Sequence, residues 1–308
     1  MTITEAVVII DRETGATSEA AAVVRWMALP TMAWEGIGLM ASGVVYGGDE
    51  LRPGTANPNA DGGAIFKFVP ATMVSGMITT LDASPFAAGK TYAMQVECVK
   101  SAVQFGQGCE TGNALRVEVD PSRARAEADA KGATGYYRPQ DMHLDPRVTD
   151  AARFCRTNVG NEGGRNYAEV TCAVDSTPDV VAVADAEGEA ELTTVVTRFI
   201  AGDKDANSFD NLDFQPGSGN FHVIEDHTNG DIRACLPDGA GRDLKADGCV
   251  KVLSVKDTSA EPTGFIFSAD GSTACVSIQH SDGKGMALVD GYGPDAVIKI
   301  TGFAPIAK

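Results

Sequence analysis

Short runs of β-branched and aromatic residues, separated by Gly, Asp, Asn and Pro, dominate this chain of 308 residues. The runs predict strands at 7–10, 44–46, 64–69, 116–119, 192–200, 221–224, 251–255, 263–267, 275–278 and 296–300. Helical periodicity is scarce and predicts only short helices over 122–131 and 17–27. Closely spaced strands with turn residues between them indicate a sandwich, a barrel or a propeller.

A degenerate repeat favours the propeller among these folds. Each copy has a polar opening, an alternating strand, a Gly-containing turn, a second strand and a polar end, although one copy has the opening only. The copies open on Glu35, Gln140-Asp141, Asp210-Asn211 and Glu261, and they end on Asp49-Glu50, Glu225-Asp226 and Gln279-His280. One four-stranded blade takes roughly 40–50 residues, and the longer gaps leave room for insertions. We therefore predict a single all-β domain, 1–308, folded as a β-propeller of five or six four-stranded blades.

The polar openings also predict a site. Inner strands of a propeller begin at one end of the central channel, so their first residues converge on its axis. Carboxylate and amide oxygens form the donor set that Ca²⁺ prefers. Any single one of them is better explained as a turn residue, but four at the same place of a repeat favour a site. We further expect strand 7–10 to pair with strand 296–300 and close the ring, because propellers protect their edges in this way.

The charge balance limits the partners. The chain has 25 Lys and Arg against 42 Asp and Glu, which gives a formal net charge of −17. Nucleic acid and anionic membranes bind basic surfaces, so neither is expected as a partner. No apolar run reaches the roughly 20 residues of a membrane-spanning helix, and the N-terminal stretch lacks the basic start and apolar core of an export signal. We expect a soluble protein that is either cytosolic or has lost such a signal.

The cysteines favour export. Six of the seven fall into local pairs, Cys98 with Cys109, Cys155 with Cys172 and Cys235 with Cys249, and each pair encloses a polar segment that contains Gly. Disulfides across loops of this size contribute roughly 3 kcal/mol in the chain-entropy model. The alternative is seven thiols in a reducing compartment. We predict three disulfides, a free Cys275 in the core, and a periplasmic or secreted location.

Longer motifs occupy the repeat openings. They are 34–36 (WEG), 138–141 (RPQD), 209–212 (FDNL) and 261–280 (EPTGFIFSADGSTACVSIQH). These segments resemble the PhoX-type alkaline phosphatases, and the last one follows that family's signature E-x-T-G-x-x-F-S-x-D-G-x-T with a later I-Q-H. The resemblance runs from about residue 5 to the C-terminus and is weakest across 85–130 and 150–200. It implies an exported, six-bladed propeller that hydrolyses phosphate esters with calcium and iron.

The resemblance assigns metal ligands position by position. Glu35 and Glu261 would be ligands, and Asn211, with Asp210 beside it, would contact metal or phosphate.

Two further implications concern the family's usual ligands. Gln140 stands where the family usually has a Glu ligand, with Asp141 adjacent; an amide oxygen coordinates calcium but carries no charge. The family's stretch of T-P-W-G-T-x-x-x-C-E-E type, which contributes a thiolate iron ligand, has no counterpart in this sequence. We therefore expect a site for more than one calcium ion and leave the presence of iron open.

The resemblance also assigns the substrate contacts. Arg138 would bind phosphate oxygens with its planar guanidinium, and the alternative for Arg138 is a salt bridge within the acidic surface. His280, which ends the signature, would act as an acid or contact the phosphate. Because a phosphate ester is repelled by an acidic protein, cations are needed between the two.

These features lead to three hypotheses about function. The first is a calcium-dependent hydrolase of phosphate monoesters, with di- and triesters as further candidate substrates. The second is a calcium-dependent propeller lactonase or carboxylic-ester hydrolase. The third is a binding propeller in which calcium is structural and no reaction is catalysed.

Overall fold

The structure of the chain, a computed structural model, is built almost entirely of β-strands. It describes residues 7–8, 23–24, 26–52, 62–74, 76, 78, 83–97, 110–164, 166–180, 193–236, 249–282, 288–291 and 295–303. The first strands are β1 (Val7–Val8), β2 (Val23–Val24), β3 (Trp34–Leu39), β4 (Val45–Asp49), β5 (Ile65–Pro70), β6 (Gly89–Val96) and β7 (Gly112–Val119). The helix α1 (Ala124–Ala130) follows, and then β8 (Pro139–Leu144), β9 (Ala152–Asn158), β10 (Glu169–Asp175) and β11 (Thr194–Ala201). The last strands are β12 (Phe209–Phe214), β13 (Phe221–Glu225), β14 (Asp231–Cys235), β15 (Cys249–Ser254), β16 (Glu261–Phe267), β17 (Thr273–Gln279) and β18 (Ala296–Thr301).

Antiparallel pairing divides these strands into blades. A nine-stranded sheet has the order β3-β4-β5-β6-β7-β11-β10-β9-β8, a second sheet is β12-β13-β14-β15, and a third is β16-β17-β18. We call β3–β6 blade 1, β8–β11 blade 2, β12–β15 blade 3 and β16–β18 blade 4. Strand β7 pairs with the outer strands β6 of blade 1 and β11 of blade 2. The two blades and β7 therefore form one nearly closed sheet.

The first strands of the four blades lie side by side. Strand β3 packs beside β8, β8 beside β12, and β12 beside β16. Meandering sheets whose first strands line a common centre are the arrangement of a β-propeller. The predicted all-β propeller fold is confirmed, and the described part of the chain contains four of its blades.

Apolar side chains alternate along the strands and pack between blades. The interface of blades 2 and 3 contains Val170, Cys172, Leu212 and Phe214, all buried. Because successive side chains of a strand point to opposite faces, each blade contributes one apolar layer to each neighbour. A smaller cluster packs α1 against blade 1.

Two local predictions have different outcomes. The helix predicted over 122–131 is α1, and it follows a 3-10 turn whose Asp120 side chain accepts a hydrogen bond from the Ser122 backbone N–H at 2.9 Å. The helix predicted over 17–27 is wrong where the structure describes it, because Val23–Val24 form strand β2; residues 17–22 lie outside the described residues.

The predicted closure of the ring by strand 7–10 is also wrong where the structure describes that strand, and residues 9–10 lie outside the described residues. Val7–Val8 pairs with Val23–Val24, whereas β18 pairs with β17. Closing a loop of about 15 residues costs less chain entropy than joining the two ends of the chain. The helices in the described part of the chain are all too short and too polar to cross a membrane.

Two of the three predicted disulfides are confirmed. Cys155 is bonded to Cys172, which lies directly opposite it on β10. Cys235 is bonded to Cys249, its partner across β14 and β15. The pair Cys98 and Cys109 lies outside the described residues, and its disulfide stays a prediction.

The remaining cysteine has a less buried position than predicted. Cys275 is free, as predicted, and lies half-buried on β17 rather than fully in the core.

A buried histidine joins blades 3 and 4. His222 on β13 is 2% exposed, and its ring stacks on Phe265 with centroids 5.4 Å apart. Phe267 and Phe303 contact the same ring edge-on. Burial lowers the pKa of His222 to about 4, against weaker opposing effects of a hydrogen bond to the Asn220 backbone and of the Asp213 charge. The imidazole is therefore neutral at pH 7 and functions as part of the aromatic core.

The pH dependence of stability should reflect His222. Its pKa is lower in the folded state (about 4) than in the unfolded state (6.5). The stabilising effect of the neutral ring is therefore complete above pH 6.5 and is lost as the pH falls to 4, by about 3 kcal/mol. Urea unfolding between pH 7 and 4 should be less pH-dependent in His222→Phe than in the wild type.

His227 is the matched control for this measurement. Its pKa is raised to about 9, mainly by a hydrogen bond to Glu225, so its effect on stability falls between pH 6.5 and 9. His227→Gln should lose as much free energy of unfolding between pH 7 and 4 as the wild type does. The same loss in His222→Phe would contradict the prediction.

The cysteine pairing is open to direct measurement. Mass spectrometry of unreduced digests should show three linked peptides, 98–109, 155–172 and 235–249, because each pair closes a short local loop. Titration of the denatured, unreduced chain should find one free thiol, that of Cys275. A count of seven thiols would contradict the prediction.

Candidate functional site

Each of the four inner strands has a β-bulge near its start. The pairing register shifts between Glu35 and Ile37, between Pro139 and Met142, between Phe209 and Leu212, and between Thr263 and Phe265. A bulge sets two residues opposite one and redirects a side chain. The polar residues at the strand openings, Glu35, Gln140, Asp210 and Glu261, lie at or just before these bulges.

The hairpins return a second polar cluster to the same end of the inner strands. Trp34 pairs with Asp49, Phe209 with Glu225, and Glu261 with Gln279. The polar repeat endings that the sequence analysis identified therefore lie next to the openings. The site therefore also includes the residues that follow these strand ends, namely Glu50, Asp226 and His280.

Carboxylates concentrate between blades 1, 2 and 3. Burial raises the pKa of Asp210 to about 8, together with repulsion by Asp226, Glu35 and Asp141. Burial also raises the pKa of Glu35, with further repulsion by Glu50 and Asp141. The carboxylates are thus close enough to disfavour each other's charge, and a cation at this position would relieve the repulsion.

Glu261 extends the cluster to blade 4. Its Oε1 accepts a hydrogen bond from Gln279 Nε2 at 2.8 Å, and His280 Nε2 lies 3.3 Å from the same oxygen. Burial and repulsion by Asp226 raise the pKa of Glu261. His280 itself is 71% exposed in its side chain and has a positive φ of 63°, so it lies at the rim of the site.

Arg138 is a cation among these carboxylates. Its Nε donates to Glu50 Oε1 at 2.9 Å, and its charge lowers the pKa values of Glu35 and Asp210 against the upward shifts. Among the described residues, its terminal nitrogens Nη1 and Nη2 have no hydrogen-bond acceptor. Arg138 also has a positive φ of 54°, a conformation that costs a non-glycine residue energy and recurs at functional sites.

Asp141 and Asn211 connect the blades instead of facing the cluster freely. Asp141 Oδ1 accepts from its neighbour Met142 N at 2.9 Å, and Asp141 Oδ2 accepts from Leu212 N on β12 at 3.0 Å. Asn211 Oδ1 accepts from Gly264 N on β16 at 2.7 Å and from Thr263 Oγ1 at 3.1 Å. Each oxygen already has a donor from its own bulge or the next inner strand.

Gln140 joins the site through Glu50. Its Nε2 lies 3.3 Å from Glu50 Oε1, the same oxygen that binds Arg138, and the residue is 6% exposed. The amide therefore helps to orient Glu50, and through it the guanidinium of Arg138.

His143 is a member of the site that the sequence analysis did not identify. It lies between two carboxylates, with Nε2 3.4 Å from Asp141 Oδ2 and Nδ1 3.2 Å from Asp213 Oδ1. Burial opposes the charge, but the two hydrogen bonds outweigh it and raise the pKa of His143 to about 10. The Asp141-x-His143 spacing, two residues apart on one strand, was the available signal.

The donor set fits a hard cation in chemistry. All the candidate ligands on Glu35, Asp210, Asp226 and Glu261 are carboxylate oxygens, the ligands that suit calcium. Within the described ranges, no three His, Cys, Asp or Glu side chains lie together closely enough to hold a metal ion as they stand.

Comparisons with known proteins bear on the family and the fold of this chain. The family model described as alkaline phosphatase PhoX matches residues 27–282. A solved structure described as Pseudomonas fluorescens PhoX in complex with vanadate, a transition state analogue, is similar with a TM-score of 0.60 and 19% sequence identity. No curated protein matches the chain.

The two matches support different conclusions, one about the fold and one about the family. The structural match covers 92% of this chain and 56% of the Pseudomonas chain, so this chain spans about half the length of that relative. At 19% identity, the structural match supports the propeller fold. The family match covers most of the sequence, and the chain therefore belongs to the PhoX alkaline phosphatase family.

Proposed function

We propose that this protein is a phosphoester hydrolase whose site lies at the openings of the four inner strands. The observation that supports it most directly is Arg138, whose terminal nitrogens are available within a group of carboxylates from blades 1, 2 and 3. Membership of the PhoX family supports the same reaction class. The substrates we propose are phosphate monoesters, with di- and triesters as further candidates.

Arg138 is suited to bind the phosphoryl group. Its guanidinium is planar and always charged, and it presents paired N–H groups that match two phosphate oxygens. Glu50 holds Nε at 2.9 Å and so fixes the plane of the guanidinium. Since 17% of the side chain is exposed, the outer nitrogens are reachable from solvent. The exposed His280 at the rim is placed to contact a substrate oxygen or donate a proton.

We assign the metal ligands to carboxylates at the strand openings whose pKa values are raised by burial and by neighbouring carboxylates. Of these, Glu261 also accepts a hydrogen bond from Gln279 through Oε1. Glu35, Asp210 and Glu261 would hold calcium, and Asp226 is a further candidate ligand beside Asp210 and Glu261. Bound calcium supplies charge neutralisation and Lewis acidity toward a phosphoryl oxygen or a water. Asp141 and Asn211, predicted as ligands, are assigned to positioning the bulges, and Gln140 to orienting Glu50.

The disulfides support a compartment for this activity. Cys155–Cys172 and Cys235–Cys249 favour an oxidising environment. We therefore propose that the protein acts in the periplasm or outside the cell, on small phosphate esters and not on nucleic acid.

Arg138→Met tests the phosphoryl-binding role. Because the variant removes the charge and the paired donors, kcat/KM for p-nitrophenyl phosphate should fall roughly 100-fold. Arg147→Met is the control, since Arg147 is bound to Asp145 away from the cluster, and its kcat/KM should stay within about twofold.

Substrate and metal dependence separate the three functional hypotheses. The monoester, bis-p-nitrophenyl phosphate, paraoxon and a lactone should each be assayed with and without EDTA. Hydrolysis of phosphate esters that EDTA abolishes supports the proposal. Lactone hydrolysis alone, or calcium binding without any turnover, would contradict it in favour of the esterase or the binding propeller.

Glu261 tests the metal role. Glu261→Gln keeps the shape but removes a charge, so calcium affinity should fall about tenfold and turnover should recover partly at high calcium. Glu261→Ala removes the ligand and should not recover. The control Glu118→Gln changes an exposed carboxylate paired with Lys90 and should leave both measurements unchanged. Wild-type turnover of Glu261→Ala at every calcium concentration would exclude the metal role.

A further inference from the structure

Blade 4 has three strands among the described residues, whereas each of the other blades has four. In blades 1, 2 and 3 the third strand is covered by a fourth, namely β6, β11 and β15. Strand β18 (Ala296–Thr301) is the third strand of blade 4, and within the described ranges it pairs with β17 alone. Its outer edge therefore presents a row of backbone N–H and C=O groups with which a further strand can pair.

This edge strand carries apolar side chains in solvent on both of its faces. Val297 is 72% exposed, and Ile298, which points to the opposite face, is 45% exposed. Ile298 and Ile300 also line an open cleft of about 310 Å³ between blades 3 and 4, together with Leu253 on β15. Exposed apolar side chains along an open strand edge mark a surface for strand addition.

The charges of β18 restrict what can pair with it. Lys299 is exposed and makes no ion pair with any residue that the structure describes. A lysine on a strand edge discourages pairing unless the incoming strand places an acidic residue opposite it. Asp295 lies just before the strand and is also exposed, and its Oδ1 accepts a hydrogen bond from the His280 backbone N–H at 3.1 Å. The edge therefore fits a strand that has a carboxylate opposite Lys299.

A second copy of β18 supplies that carboxylate. If two copies pair antiparallel about a twofold axis at Val297, then Val297 lies opposite itself, Ala296 opposite Ile298, and Asp295 opposite Lys299. Each unlike pair occurs twice, because a twofold interface uses the same patch on both copies. Oppositely charged residues that face each other across antiparallel strands stabilise the pairing. An axis at Ile298 would instead place Lys299 opposite Val297, so the charges select the register centred on Val297.

We propose that β18 is the docking edge for a second copy of this chain, and that β18 of each copy serves as the fourth strand of blade 4 in the other. The two three-stranded sheets become one continuous sheet of six strands. The central Val297 contact and one Ala296–Ile298 contact on each side cover the exposed apolar side chains, and two Lys299–Asp295 ion pairs flank them. The proposal concerns assembly and is independent of the reaction at the inner strand openings.

The oligomeric state of the full chain tests the proposal. Sedimentation equilibrium should be measured at about 0.15 M salt, because each copy has a net charge of −17 and charges more than about 8 Å apart are then screened. The wild type should be mostly dimeric at about 100 μM, as expected for a small interface. Lys299→Glu replaces two attractive pairs by two repulsive ones, so the dissociation constant of the dimer should rise roughly 30-fold.

Charge reversal supplies the rescue and the control. Combining Lys299→Glu with Asp295→Lys restores opposite charges at both positions, so the double variant should dimerise like the wild type. Lys204→Glu makes the same change of charge at an exposed residue between β11 and β12, and it should leave the dissociation constant within about twofold.

A cysteine at the axis locates the interface. Residues directly opposite each other in an antiparallel pair have Cα atoms about 4.5–5.5 Å apart, which is within the range of a disulfide. Val297→Cys should therefore form a disulfide-linked dimer on air oxidation. Val250→Cys on β15, where the valine is 58% exposed, should stay a single chain on a non-reducing gel.

Three results would overturn the proposal. They are a wild type that is monomeric at every concentration, a dimer whose dissociation constant Lys299→Glu leaves unchanged, and equal crosslinking of the two cysteine variants. The first result requires no variant, so the proposal can be tested even if a substitution impairs folding.

Discussion

The structure depends on hydrogen bonds that pass from the bulge of one inner strand to the bulge of the next. A bulge leaves a backbone N–H outside the ladder, and an unpaired buried N–H costs free energy. Asp141 accepts the N–H of Leu212, and Asn211 accepts that of Gly264. These bonds set the spacing of blades 2, 3 and 4, and the same bulges direct the neighbouring polar side chains toward the site. The packing of the blades and the geometry of the site therefore depend on the same bulges.

That arrangement concentrates negative charge in a partly buried place. Asp210 is repelled by three other carboxylates, and its pKa of about 8 records how unfavourable its charge is there. Arg138 offsets part of this repulsion, and His143 pairs with Asp141, one of the repelling carboxylates, and with Asp213. Such mutual repulsion is maintained only by the rigidity of the surrounding strands, and it is typical of sites built to receive a cation.

The interfaces between blades differ in chemistry. Blades 3 and 4 meet through apolar and aromatic side chains, among which His222 is neutral. Blades 1 and 2 instead enclose an apolar layer together with stacked arginines and carboxylates. The disulfide Cys155–Cys172 lies on the other face of blade 2, toward blade 3, where the packing is apolar. Each blade thus separates environments of different polarity on its two faces, which the alternation of side chains along a strand allows.

The sequence by itself determined what depends on neighbours along the chain. The repeat openings, the helix near 122–131 and the cysteine pairs 155–172 and 235–249 were all predictable because turns, caps and short loops are local. Strands β9 and β10 were missed because Arg156, Glu169 and Asp175 interrupt the apolar pattern with buried charges. Only the tertiary structure decided that these charges face inward and that Asp141 and Asn211 bind the next strand, since their partners lie on other strands distant in sequence.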